Sequence, residues 1–341
     1  MNFKKGILGV ILASTLLAGC AGGSTAASSA PATTPSPSAS AEPADVHVSA
    51  MKGPTAMGMV KMMDDADNGE IKSNNYSFEI LSSVDEIAPK VAQKEVDIAA
   101  VPANLGSVLY NNTDKGVVAL AVNTLGVLYI CETGDSIHSI SDLAGKTIYA
   151  SGKGATPEYA LNYILQKNGI ADQVTIEWKS EHSECVAAMA QDPNAIALLP
   201  EPFVTSAKAQ NSDIRAAIDL NDAWDDAVKN EKNKSSLLTG IVIARKEFVE
   251  EHPEAVRDFL DRYKDSVAYT NDNIDDASAL IEKYDIIKAA VARNAVPNCH
   301  IVDITGDKMK NALSGYLQVL YDQNPKAVGG SLPEDDFYYG A

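Results

Sequence analysis

Short apolar runs alternate with amphipathic stretches along most of the chain. Residues 46–50 alternate as Val-His-Val-Ser-Ala, the period of a half-buried strand. Lys52-Gly53-Pro54-Thr55 is a turn, and 56–64 carries Met57, Met59, Val60 and Met63 on one helical face, which reads as core rather than as a cofactor contact. A second strand is predicted over 76–81. Ser83 with Glu86 has the spacing of a capping box, and Pro89 is expected to make the following short helix restart. The run at 96–101 is a buried strand that ends at Pro102-Ala103-Asn104 and feeds a helix to 110. Further apolar runs lie at 117–123 and 127–131, followed by a helical turn at 141–145.

The stretch 146–159 is the most informative. Residues 147–150 form a strand, and 151–155 are small, with Gly152 and Gly154 permitting a tight turn and the close approach of a ligand. Thr156 suits a helix cap and Pro157 its first turn, and Leu161, Ile164 and Leu165 mark one face of the helix to 167. A helix start of this kind offers N–H groups to the acceptor end of a small molecule. It is not a dinucleotide site, because Pro157 stands where the third glycine of that fingerprint belongs. Strands at 174–178, 195–199, 214–220 and 239–245 alternate with helices at 182–191, 203–209 and 221–229, the last capped by Asn221 or Asp222. From Pro253 onward the pattern is mainly helical, over 253–270, 274–284, 286–294 and 307–322. Alternating strands and helices imply an α/β fold with mostly parallel sheets. Ligands of such sheets bind at the carboxyl ends of strands, where the loops 51–55, 102–104, 151–156 and 200–202 all fall.

The N-terminus is of another kind. Lys4 and Lys5 precede an apolar run at 7–17 that is too short for a stable membrane span, and Leu17-Ala18-Gly19-Cys20 has the form of a lipoprotein cleavage site. Residues 1–20 are therefore expected to be a signal peptide, with Cys20 carrying lipid (palmitate among its acyl chains) and holding the domain at a membrane. Residues 21–45 are almost all Ala, Ser, Thr, Pro and Gly, a flexible tether with a reach of roughly 25–30 Å. The formal net charge of −18 argues against nucleic acid as a partner and against adsorption to anionic lipid. Cys131, Cys185 and Cys299 are far apart and form no Cys-x-x-Cys, so they are expected to be buried free thiols.

Taken together, the cleavage site, the tether, Ser141-Asp-Leu-Ala-Gly-Lys-Thr-Ile148 and Leu199-Pro-Glu-Pro-Phe203 resemble those of periplasmic-type substrate-binding proteins of ABC importers. The chain is similar to the group that binds alkanesulfonates, nitrate and thiamine pyrimidines. The resemblance implies a type II binding-protein fold with two lobes, each a mostly parallel sheet flanked by helices. Residues 46–123 and 241–341 would form the first lobe and 124–240 an inserted second one, with hinge crossings near 123–127 and 238–242. It implies a monomer, lipid-anchored on the outer face of the cytoplasmic membrane, that captures a small molecule by closure and delivers it to a permease and its ATPase. The ligand would be a sulfonate-like anion or a small heteroaromatic vitamin precursor.

The site candidates carry alternative structural roles. Lys52, Gly53, Pro54 and Thr55 would form the corner of the first lobe, and Ser151, Lys153, Gly154, Ala155 and Thr156 that of the second; turn chemistry and capping account for the same residues. Asn104 would bond a ligand or cap its helix. Thr124 and Thr239 lie at the expected hinges. Glu201 would accept from a ligand amine or ring nitrogen, or else complement its own helix dipole. Tyr129, Tyr159 and Trp178 are candidates for stacking or for core. His182 and Cys185 have a helical spacing that could serve a metal, but no further ligand is evident, so neither metal nor cofactor is expected. No nucleophile elbow or zinc-protease motif is present. The alternatives to a binder are an enzyme on the same bilobed fold, like those of pyrimidine or menaquinone biosynthesis, and a tethered surface sensor or adhesin.

Overall fold

The computed structural model describes residues 43–231 and 235–341. The expected signal peptide, Cys20 and the tether up to residue 42 lie outside the described residues. In chain order the elements are β1 (Asp45–Met51), α1 (Pro54–Met57), α2 (Val60–Asp67), β2 (Asn75–Leu81), α3 (Val84–Ala92), β3 (Ile98–Pro102), α4 (Ala103–Asn112), β4 (Val117–Leu125) and β5 (Leu128–Thr133). Then follow β6 (Thr147–Ser151), α5 (Thr156–Lys167), β7 (Thr175–Lys179), α6 (His182–Gln191), β8 (Ile196–Pro200), α7 (Phe203–Gln210), β9 (Ile214–Asp219) and α8 (Leu220–Val228). The chain ends with β10 (Leu238–Arg245), α9 (Lys246–Glu251), α10 (Pro253–Asp272), α11 (Ile274–Lys283), α12 (Ala289–Ala295), β11 (Ile301–Ile304) and α13 (Gly306–Gln323).

These strands form two sheets, one of six strands in the order β11-β4-β10-β3-β1-β2 and one of five in the order β7-β6-β8-β5-β9. In the first, β1 pairs in parallel with β2 and β3, and β10 runs against β3 and β4. In the second, β6 pairs in parallel with β7 and β8, and β5 runs against β8 and β9. The expected α/β fold with two helix-flanked sheets is present, but both sheets are mixed: parallel pairing is confined to β1, β2 and β3 in one and to β6, β7 and β8 in the other, because the crossing strands β4, β5 and β10 bring in antiparallel neighbours. The chain passes between the sheets at Gly126–Val127 and returns between Val228 and Leu238.

Alternate residues of each strand serve opposite faces. Ile98 and Ala100 join a core with Met57, Met59, Met62, Met63, Phe259 and Tyr263, so the methionine face is indeed core. Ala99 and Val101 join another that continues through Leu313, Tyr316 and Leu320 of α13 to Tyr159, Ile164 and Trp224 under the five-stranded sheet. On the opposite face of that sheet, Cys131, Cys185, Met189 and Leu199 pack under α6 and α7. The three cysteines of the described domain are buried and unpaired.

Local departures from the sequence reading have physical causes. Strand β11 falls in the gap between the helices expected at 286–294 and 307–322, where the pattern predicts no strand; it is a short edge strand held by β4 alone. Helix α3 runs through Pro89 without restarting. Pro89 and Asp85, whose carbonyl loses its partner, are both exposed, so the orphan faces solvent and carries little cost. Ser83 donates from Oγ to Glu86 at 3.1 Å instead of capping that helix. Asp219, not Asn221 or Asp222, caps α8, accepting from Asn221 N–H at 2.8 Å. No helix among the described residues is long and apolar enough to cross a membrane.

Candidate ligand-binding site

Strand register fixes which ends of the sheets meet. Because β4 leads directly into β5, the carboxyl end of β4 and the start of β5 lie together. Strand β3 is antiparallel to β10, which is antiparallel to β4, so β1 and β3 also end on the crossing side. In the other sheet Pro200 pairs with Leu128, so β8, and β6 parallel to it, end there too. The four loops at 52–55, 102–104, 151–156 and 200–202 therefore all open toward the crossings.

On the six-stranded side, Pro102, Gly240 and Thr124 are neighbours in one row across the sheet, and Thr55 lies against Gly240. The residue that joins them is Asn123, fully buried, whose Nδ2 donates to Thr55 O at 3.0 Å and whose Oδ1 accepts from Thr124 Oγ1 at 3.1 Å. A β-carbon at Gly240 would run into Asn123 Oδ1, so this position needs glycine. Sequence reasoning passed over Asn123, although an amide inside the apolar run 117–123 was the available signal. Gly53 holds φ 121° with open space where a side chain would project. Lys52 Nζ reaches Asp285 at 3.1 Å, an exposed pair of little energetic consequence. Thr239 is half-buried at the start of β10. Asn104 lies inside α4 rather than at its cap, and its Nδ2 donates to Ala327 O at 3.1 Å.

On the five-stranded side, much of the expected donor set is already engaged. Ser151 is buried and donates to Ser180 O at 3.3 Å. Gly154 N–H donates to Glu158 at 2.6 Å, and Ala155 N–H to Gly152 O at 3.1 Å. Thr156 is the first residue of α5, with Ala155 as its N-cap, and its hydroxyl meets Tyr316 OH at 2.9 Å. Lys153 is exposed beside an open depression shared with Asn162, Asp322 and Asn324.

Glu201 follows the neighbouring strand β8 and is buried, at 3% exposure. Its carboxylate accepts from Thr205 N–H and Oγ1, both at 3.1 Å, so it serves the first turn of α7. Burial pushes its carboxyl above the usual range, against the opposing pull of the Thr205 hydrogen bonds and Lys208. A carboxyl raised in the folded state stabilises the fold fully below its unfolded value, and the contribution is lost as pH rises through the folded one. Glu201→Gln is therefore expected to melt higher than the unchanged protein at pH 8 and alike at pH 4. A lower melting point at pH 8 would show that the ionised form is what the fold prefers.

Tyr129 is buried and its hydroxyl donates to Asn298 O at 3.0 Å, joining β5 to the turn before β11. Tyr159 is also core, and Trp178 is half-buried. His182 starts α6 with its ring 5.1 Å from that of Phe203, and its Nδ1 is buried without a partner. Burial lowers its pKa and favours the neutral imidazole. Cys185 is wholly buried, and no group of three or more potential metal-ligating side chains occurs among the described residues.

Two helix-flanked mixed sheets, with four strand-end loops converging on the crossings between them, define the architecture of the chain. The family model described as "NMT1/THI5 like" matches residues 79–277, and the chain belongs to that family. No curated protein matches it in sequence. Among solved structures, an ABC transporter protein from Parabacteroides distasonis is 21% identical over 86% of this chain and 98% of its own, with TM-score 0.71. The periplasmic aliphatic sulphonate binding protein SsuA from Escherichia coli is 14% identical over 84% and 90%, with TM-score 0.66. The alkanesulfonate-binding protein SsuA from Xanthomonas axonopodis pv. citri, bound to MOPS, is 12% identical over 86% and 96%, with TM-score 0.57. At these identities the likeness establishes the fold.

Proposed function

We propose that this protein is the extracytoplasmic solute-binding component of an ABC importer, capturing a small organic molecule between the two sheets without chemistry. The observation that carries the reading is the convergence of four strand-end loops on the crossings, in a fold shared with importer binding proteins. The two sheets with their helices act as lobes that close as rigid bodies, and the closed form is presented to a permease and its ATPase. Asn123 and Thr55 belong to the floor of the gap, with Ser151 and Thr156 opposite. The ligand is a sulfonate-like anion or a small heteroaromatic molecule. The absence of a nucleophile–base motif favours this reading over an enzyme on the same fold.

A thermal-shift screen with ethanesulfonate, nitrate, aminopyrimidines, thiamine and amino acids should find a stabilising ligand by mass action. The stabilisation should fall with Asn123→Ala and Thr156→Val. Turnover of the hit, or stabilisation indifferent to both substitutions, would discard the reading or the site. We further propose lipidation at Cys20 and a monomeric state at the outer face of the cytoplasmic membrane. Cys20→Ala should move the protein from the membrane fraction to the soluble one, and unchanged fractionation would remove the anchor.

A further inference from the structure

The covalent chain joins the two sheets twice, but a third connection exists. The segment from Gly306 to the C-terminus is hydrogen-bonded to both halves. Toward the five-stranded sheet, Tyr316 OH meets Thr156 Oγ1 at 2.9 Å. Gln323 Nε2 donates to Tyr159 O at 3.1 Å, and Asn324 Nδ2 to Tyr159 Oη at 3.1 Å. The Tyr316 ring also lies 5.8 Å from that of Trp224, which lies 4.7 Å from that of Tyr163. Toward the six-stranded sheet, Ser107 Oγ donates to Val328 O at 2.7 Å and Asn111 Nδ2 to the same oxygen at 2.8 Å. Tyr110 OH donates to Asp336 at 2.5 Å, and Tyr339 N–H to Ala119 O at 3.0 Å. Tyr316 and Trp224 are fully buried.

We propose that the contact between α13 and α5 is a latch that sets how far the two halves separate. The tail beyond α13 is bound to α4 and β4 through buried groups, whereas the bonds of Gln323 and Asn324 to Tyr159 lie at a half-buried rim. When the halves separate, the rim bonds of Gln323 and Asn324 are therefore the first to part, and the buried Tyr316–Thr156 pair holds behind them. Thr156 begins α5 at the loop we assign to the gap, so a ligand seated there bears directly on the latch. This last link rests on the solute-binding reading; the latch itself does not.

The test needs no ligand. Spin labels on Asp85→Cys and Gln191→Cys, both exposed and on opposite halves, report the separation by pulsed dipolar spectroscopy. The cysteines of the described domain are buried and should remain unlabelled. Tyr316→Phe with Gln323→Ala should shift the distances longer and broaden them. Amide exchange along α5 should speed by at least about fivefold to tenfold, the factor for one lost hydrogen bond where two are removed. If that pair of changes melts the protein, Gln323→Ala with Asn324→Ala, both at the rim, must still broaden the distances. An unchanged distribution in a folded variant overturns the latch. Distances that broaden when no ligand is ever found leave the latch standing and sink the transport reading; a ligand bound over unchanged distances does the reverse.

Discussion

Trp224→Ala is expected to cost about 3–5 kcal/mol of folding stability, the range for emptying a buried aromatic site. Trp224 has no exposed surface and is enclosed between Tyr163 and Tyr316. Its indole N–H donates to Ser235 Oγ at 3.1 Å, so the substitution also leaves a buried hydroxyl without its donor. Its neighbours on α5 and α13 are held by other contacts and cannot both collapse into the space. Urea unfolding followed by far-UV circular dichroism measures the loss without relying on the deleted fluorophore. A cost below about 1 kcal/mol would show that the site collapses freely, contrary to the packing described.

Arg215→Met should be nearly as damaging near neutral pH, by about 3 kcal/mol, because it removes the counter-charge of a buried carboxylate. Glu132, with 3% of its side chain exposed, lies 2.5 Å from Arg215 Nη2. It also accepts from Ser136 N–H and Oγ and from Ile137 N–H. Burial alone would raise its carboxyl, but these hydrogen bonds and the guanidinium outweigh it and hold it below the ordinary value of 4.5. A depressed carboxyl contributes stability fully above its unfolded value and loses it as pH falls through the folded one. The difference between Arg215→Met and the unchanged protein should therefore be full above about pH 5 and shrink in stronger acid. A difference independent of pH would mean that Arg215 acts through packing of its stem and not through its charge.

Much of this architecture was legible in the chain because its causes are local. The strand, small loop and helix at 147–167 and the buried run at 96–101 were recognisable from period and turn chemistry alone. So was the placement of loops at strand ends. What was illegible depends on partners distant in sequence. Nothing near Thr156 announces that Tyr316 will occupy its hydroxyl, and nothing near Asn104 announces Ala327. Glu201 is intermediate: Thr205, its hydrogen-bond donor, is four residues on and could have been foreseen, whereas its burial could not. Strand β11 escaped because an edge segment of four residues carries too little periodicity to stand out among helices.

The hydrophobic interior that runs without a break from one sheet through α13 to the other bears on how such a molecule can be taken apart or inherited. Residues 128–219 hold a complete sheet of five strands, yet part of the apolar roof over that sheet is supplied from 306–323. Excised as a module, this segment would present that uncovered face to water and gain a reason to aggregate. Recombination that exchanges the segment between relatives must carry a compatible C-terminal helix with it.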